Sequence, residues 1–265
     1  MKTMTILIDG SENDRSSLAT AATFCRAVDG RLRVVHPRPR DIIVASPDAA
    51  VLVVDDRDIE ARRAAARAAY DEVCGALSFA EWLETSDTAT EAIIGYGPLS
   101  DVTILERVSN DSGPEVLALN TALFDTPGPV LVTPPSSPSE IGRSIAVVWS
   151  PTVQSARAVR SALPIMATAA SITVITNDAD KGADPDALAG YLELHGVETG
   201  FRTFDGGGLT ARGRGRAILA AAATVQADLL VMGAYGENRL SALIGLGRTT
   251  QKIVSATTIP TLVQR

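Results

Sequence analysis

The chain has 265 residues, 46% of them hydrophobic and 21% charged, a composition that suits one large globular domain or two small ones and excludes a disordered chain. Its formal net charge of −7 argues against nucleic acid as the main partner, and no apolar run reaches the length of a membrane span. Aromatic residues make up only 4%, so the core must be built from Ala, Val, Leu and Ile.

The run Met4-Thr-Ile-Leu-Ile8 reads as a first strand, too short and too strand-like for a leader peptide, and it ends in Asp9-Gly-Ser11. A helical pattern follows, with Leu18, Ala22 and Cys25 on one face, and then a second strand, Arg31-Leu-Arg-Val-Val35. An insertion extends from Pro37 to about Asp58. After it the spacing predicts a long helix over 59–77, with Ile59, Ala66, Tyr70, Val73 and Leu77 on one stripe. Cys25 and Cys74 both fall in predicted helices; with no Cys-x-x-Cys pair they are expected to be buried free thiols in a reducing cytoplasm. Val102-Thr-Ile-Leu105 and Pro129-Val-Leu-Val-Thr133 are further strands, and Pro134-Pro-Ser-Ser-Pro-Ser139 is a linker.

Beyond the linker the same unit is written again. Ile145-Ala-Val-Val-Trp-Ser150, a helical pattern through Ala158, Ala162 and Ile165, and Ser171-Ile-Thr-Val-Ile175 repeat the opening. A short helix over 185–195 answers the long one of the first half. Asp228-Leu-Leu-Val-Met232 and Pro260-Thr-Leu-Val263 answer its last two strands. This alternation predicts parallel sheets with helices on both faces, in two units spanning residues 1–134 and 143–265. Gly206-Gly-Gly208 and Gly213-Arg-Gly215, with Arg212, Arg214 and Arg216 among them, read as a solvated loop and helix start. His36 and His195 lie in different halves without a matched Cys or His partner. No metal site and no catalytic residue is therefore assigned.

One stretch could hold a phosphate. Met232-Gly-Ala-Tyr-Gly236 follows a buried strand, and two glycines three apart let the backbone turn sharply. Gly245 and Gly247 then lead into Arg248-Thr-Thr250 and a helix ending near Ala256. The N–H groups at that helix start, beside two hydroxyls, form a natural anion site.

Residues Asp228 to Val263 resemble the C-terminal signature of the universal stress protein family, a Gly-x-x-Gly, nine residues, Gly-Ser/Thr nucleotide loop. Ala122-Leu-Phe-Asp-Thr-Pro-Gly-Pro-Val-Leu-Val132 is similar to the first-half wording of tandem members. The resemblance implies an α/β fold of two tandem doubly wound domains, each a five-stranded parallel sheet of order 3-2-1-4-5, packed as a pseudo-dimer through the last strands. Ligands of such sheets settle at the carboxyl ends of strands one and four. There the resemblance implies an adenine nucleotide, ATP or AMP, with magnesium only alongside it. Ser150, Met232, Gly233, Tyr235, Gly236, Gly247, Arg248, Thr249 and Thr250 of the second domain would hold it. A cytoplasmic role in stress response is implied in the same way.

The match has departures. Leu246 stands where the family puts its third glycine, and Ser150 replaces the expected Asp. The first half keeps Asp9 but has Leu105-Glu-Arg-Val-Ser109 after its fourth strand, with no glycine and with Glu106 set to repel phosphate. Three readings stay open: a nucleotide-binding regulatory module, an interaction protein of the same fold that acts through an unidentified protein partner, and a slow ATP hydrolase. Further homodimerisation stays open too.

Overall fold

The structure, a computed structural model, describes residues 1–37, 56–108, 113–178, 184–234 and 248–265. Its first half runs β1 (Thr3–Leu7), α1 (Asp14–Ala27), β2 (Arg31–Pro37), α2 (Asp56–Val73), β3 (Ala80–Thr85), α3 (Ala89–Tyr96), β4 (Val102–Glu106), α4 (Pro114–Asp125) and β5 (Val130–Thr133). The second runs β6 (Ser144–Trp149), α5 (Val153–Met166), β7 (Ser171–Asn177), α6 (Pro185–Glu193), β8 (Gly200–Phe204), α7 (Ala211–Thr224), β9 (Leu229–Gly233), α8 (Arg248–Ala256) and β10 (Thr261–Gln264). All ten strands form one sheet, ordered β3-β2-β1-β4-β5-β10-β9-β6-β7-β8. Each half has the expected 3-2-1-4-5 order with parallel neighbours, and the halves join where β5 meets β10 antiparallel.

The strand register makes the repeat exact enough to number. Leu131 pairs with Leu262, flanked by Val130 with Val263 and Val132 with Thr261, so a pseudo-twofold axis passes through the leucine pair. Ile104 pairs with Leu131 as Val231 pairs with Leu262. Ile6 pairs with Ile104 as Val147 pairs with Val231. Counting outward, Trp149 is the counterpart of Ile8, Ser150 of Asp9, and Gly233 of Glu106.

Alternation along the strands feeds two cores, as period two requires. Met4, Ile6, Ile104, Leu131, Val147 and Leu262 face α1, α2, α5 and α6. Val130, Val132, Leu230, Met232 and Val263 face α3, α4, α7 and α8. An axis perpendicular to the sheet keeps equivalent helices on the same face. Side chains near β5 and β10 bridge the halves as well: the Arg265 guanidinium lies 3.9 Å from the Phe124 ring centroid, and Gln264 Nε2 donates to the Pro127 carbonyl at 3.4 Å.

Several expectations shift in detail. Helix α2 begins three residues earlier than the spacing predicts and ends at Val73, so Cys74 sits just past it. Its stripe holds: Ala66 and Tyr70 are buried and Val73 half-buried. Cys25 and Cys74 are free and buried. Burial, with the neighbouring Cys74 adding, pushes the Cys25 thiol up to about 12, and burial pushes Cys74 up to about 11, which leaves both inert. The glycine-rich stretch is not a solvated loop throughout. Gly206 is buried, its N–H bonded to Asp178 Oδ1 at 3.1 Å, and Gly213 to Gly215 lie inside α7. Gly215 faces α8 closely: an added Cβ would stand 3.2 Å from Thr249 O and 3.0 Å from Lys252 Cβ. The insertion over 38–55 lies outside the described residues.

Candidate functional site

In the first half the crevice between β1 and β4 is filled by the chain's own groups. Gly10 takes φ +88°, and any Cβ on it would lie 2.4 Å from the Arg62 carbonyl oxygen of α2, so that helix lies directly over the turn. Glu106, at the end of β4, accepts from Ser11 Oγ at 3.2 Å and from Asn13 Nδ2. Asp14 opens α1, accepts from the Gly10 N–H at 2.8 Å and from Ser11 Oγ at 3.3 Å, and is buried. Asp9 pairs with Arg62 at 3.7 Å on the surface. Burial raises the Glu106 carboxyl above its usual range. Burial also pushes Asp14 up to about 6, helped by the Asp9 charge and opposed by the Gly10 N–H. A crevice lined by Asp9, Asp14 and Glu106 repels phosphate, as the sequence of β4 implies.

Asp14 has a consequence for stability. Folded, it keeps its proton up to about pH 6; unfolded, it releases it near its ordinary 3.8. Between those values the folded state binds the extra proton, so acidification through pH 6 towards 4 stabilises the fold, by at most about 3 kcal/mol. Above pH 6 the buried charge is a cost. Urea midpoints of wild type and Asp14→Asn across this window measure the effect: the difference between them should close as pH falls. Parallel curves would remove Asp14 from the account.

The second half is built differently at the equivalent place. Thr152 caps α5 by accepting from the Ser155 N–H at 3.2 Å, and Ser150 Oγ lies 3.2 Å from Ser155 Oγ. Gly233, in the position Glu106 holds in the first half, faces the same turn: a Cβ on it would lie 2.6 Å from Ser155 N and 2.7 Å from the Gln154 carbonyl carbon. Ser150, Gly233 and the first turn of α5 thus meet at one point, with no carboxylate among them. Trp149, just before Ser150, has a buried indole N–H with no acceptor, the only such buried side-chain group among the described residues.

The expected site residues are distributed unevenly. Ser150 and Gly233 come together. Met232 is next to Gly233, but its side chain is buried in the core, leaving its backbone. Thr249 donates its hydroxyl to the Ala211 carbonyl of α7 at 3.0 Å, and Thr250 is buried, so these side chains tie α8 down. Arg248 opens α8, and its side chain is not described. Tyr235, Gly236 and Gly247 lie outside the described residues, as does Leu246. Ser155 and Thr152 were missed by sequence reasoning. Their signal was the Thr-x-x-Ser spacing at the start of a helix, an ordinary cap until the fold sets it against Gly233. Among the described residues no group of His, Cys, Asp or Glu could hold a metal ion, and no helix is long and apolar enough to cross a membrane. His36 is buried in β2, its Nδ1 3.0 Å from the Ile8 carbonyl oxygen, and its ring stacks on Trp82.

Residues 210–265, which include β9, α8 and β10, match the model of the universal stress protein family. No curated protein matches the chain in sequence. Among solved structures, a universal stress protein from Archaeoglobus fulgidus DSM 4304 is similar with a TM-score of 0.71 at 17% identity, covering 99% of this chain and 96% of that one. A protein of unknown function from Pseudomonas aeruginosa PAO1 is similar with a TM-score of 0.62 at 13% identity, covering 100% of this chain and 92% of that one. The family's sequence is thus matched in the second half, over residues 210–265, and along its whole length the chain has the two-domain fold of the solved universal stress protein it is similar to.

Proposed function

We propose that this protein is a stress-type regulatory module whose second domain, residues 143–265, binds an adenine nucleotide, while its first domain, residues 1–134, serves as a structural partner. The observation that carries the reading is the contrast at one position of the repeat. Where the first half sets Glu106 against Ser11 and Asn13, the second sets Gly233 against the N-terminal turn of α5. Phosphate is favoured by the positive end of a helix and disfavoured by a carboxylate, so the two crevices differ in sign.

The test is calorimetric titration with ATP and with AMP, magnesium present, of wild type, Ser150→Glu and Asp9→Asn. Ser150→Glu places a negative charge at the crevice without touching a backbone contact, and should weaken binding by about tenfold or more, as expected for a like charge near phosphate. Asp9→Asn should leave affinity unchanged. Equal loss in both variants, or no ATP binding by wild type, would refute nucleotide binding in the second domain.

A further inference from the structure

On the outer side of the second half, away from Ser150 and Gly233, α7 and α8 enclose a groove of about 490 Å³ lined by Thr210, Arg212, Arg216, Gln251, Lys252 and Ser255. That size lies within the usual range for small-molecule sites, roughly 300–1,000 Å³. The two helices approach closely at Gly215, where an added Cβ would stand 3.2 Å from the Thr249 carbonyl oxygen of α8. Arg212 and Arg216 stand one turn apart on α7, and Lys252 comes from α8. Among the described residues Arg216 and Lys252 have no ion pair.

The repeat provides an internal control for this charge. In sequence, α7 and α8 carry Arg212, Arg214, Arg216, Arg248 and Lys252 and no Asp or Glu, within a chain of net charge −7. Their counterparts in the first half, α3 and α4, carry Glu91, Glu115 and Asp125 and no Lys or Arg, and expose Ile94 and Leu117 on their surface. Packing of the pair therefore does not require cations. Arg216 and Lys252, which have no ion pair among the described residues, repel one another across the groove, and an anion between them relieves that repulsion.

We infer that the α7–α8 groove is a binding site for an oligophosphate, separate from the β6–β9 crevice. Arg216 would hold a phosphate as a planar fork, and Arg212, four residues earlier and about 6 Å along the axis, stands on the same wall of the groove. Lys252 closes the opposite side as a point charge, and the positive end of α7 at Thr210 adds to the field. The chemistry is shared by free inorganic oligophosphate and by the phosphate tail of a nucleotide.

The probe is inorganic tripolyphosphate, titrated into the full-length protein by calorimetry at low salt. Ser150→Glu, whose crevice is closed to phosphate, should still bind it at one site, the groove, with affinity falling as salt rises from about 50 to about 300 mM. The double variant Arg216→Gln/Lys252→Gln should weaken binding by about tenfold or more, through loss of charged hydrogen bonds. Arg143→Gln, on the surface elsewhere, should not change it. All these side chains are exposed or half-buried, and circular dichroism checks that the variants fold. If ATP displaces tripolyphosphate and adenosine does not, the source is a nucleotide tail; if neither displaces it, the source is free oligophosphate. Three results would overturn the site: no binding by wild type, equal loss in Arg143→Gln, or abolition by Ser150→Glu, which would assign the anion to the crevice. Binding of an acidic peptide in place of tripolyphosphate would overturn it as well.

Discussion

Truncating Leu262 to alanine should lower stability by about 2–5 kcal/mol, and Leu131→Ala should cost a similar amount. Both side chains are fully buried, directly opposite each other where the two halves meet, and both belong to the core that spans the α1, α2, α5 and α6 face. A cavity there has strands on both sides and helices above, so it can collapse little. Because the two residues are partners, the double variant should be less destabilised than the sum of the singles, with a coupling of about 0.5–3 kcal/mol. The effect should also reach both halves. Trp82 lies in β3 of the first and Trp149 in β6 of the second, and they are the chain's two tryptophans. Urea unfolding followed by fluorescence in Trp82→Phe and Trp149→Phe backgrounds reports the halves separately. Leu262→Ala should shift both midpoints together; a shift confined to the Trp149 probe would mean that the halves fold independently.

That joint is also where the sequence was most legible. Pro129-Val-Leu-Val and Pro260-Thr-Leu-Val are short apolar runs, each at the end of a repeat, and an edge strand of this kind needs a partner to satisfy its backbone. Continuous apolar runs likewise marked β4, β6 and β9, since strands covered on both faces carry no polar side. The outer strands were harder to see. Ala80-Glu-Trp-Leu-Glu-Thr85 and Gly200-Phe-Arg-Thr-Phe204 stand at the two sheet edges, where charges and exposure protect against aggregation and erase the apolar signal. The start of α7 misled for another reason. Gly213 and Gly215 have the composition of a loop, but Gly215 lies close against α8, a tertiary fact that no window of sequence contains.

The candidate site was legible in part, and for a related reason. The glycine after β9 was visible as a motif, and so was the lack of one after β4. What Gly233 and Glu106 touch was not, because it depends on where α5 and α1 begin relative to the strand ends. The register shows that Ser150 stands in the place of Asp9, and that Trp149 stands in the place of a core residue, Ile8, so the bulky indole is packing before it is anything else. In the first half the carboxylate cluster uses up the crevice's own donors. In the second, Ser150, Thr152 and Ser155 satisfy one another around a helix start that carries no acid.

Gly233→Ala should destabilise the protein by about 1–3 kcal/mol with no nucleotide present, and Gly233→Val by more. The added carbon would fall 2.6 Å from Ser155 N and 2.7 Å from the Gln154 carbonyl carbon, both backbone atoms of a capped helix. They cannot step aside without moving the first turn of α5, and with it the Thr152 cap and the Ser150–Ser155 contact. Gly30 is the control: a carbon there would meet the tip of the Met4 side chain, which can rotate away, so Gly30→Ala should cost less. The first glycine of the family signature is thus explained in this chain by the packing of α5 on β9 whether or not a phosphate ever arrives. Loss of binding in Gly233→Val would consequently say little about a ligand, which is why Ser150→Glu, free of any backbone conflict, carries the binding test. Thermal unfolding of wild type, Gly233→Ala and Gly30→Ala without nucleotide measures the packing cost directly. If Gly233→Ala melts with wild type, α5 yields at this contact, and the glycine is then left to be explained by what binds beside it.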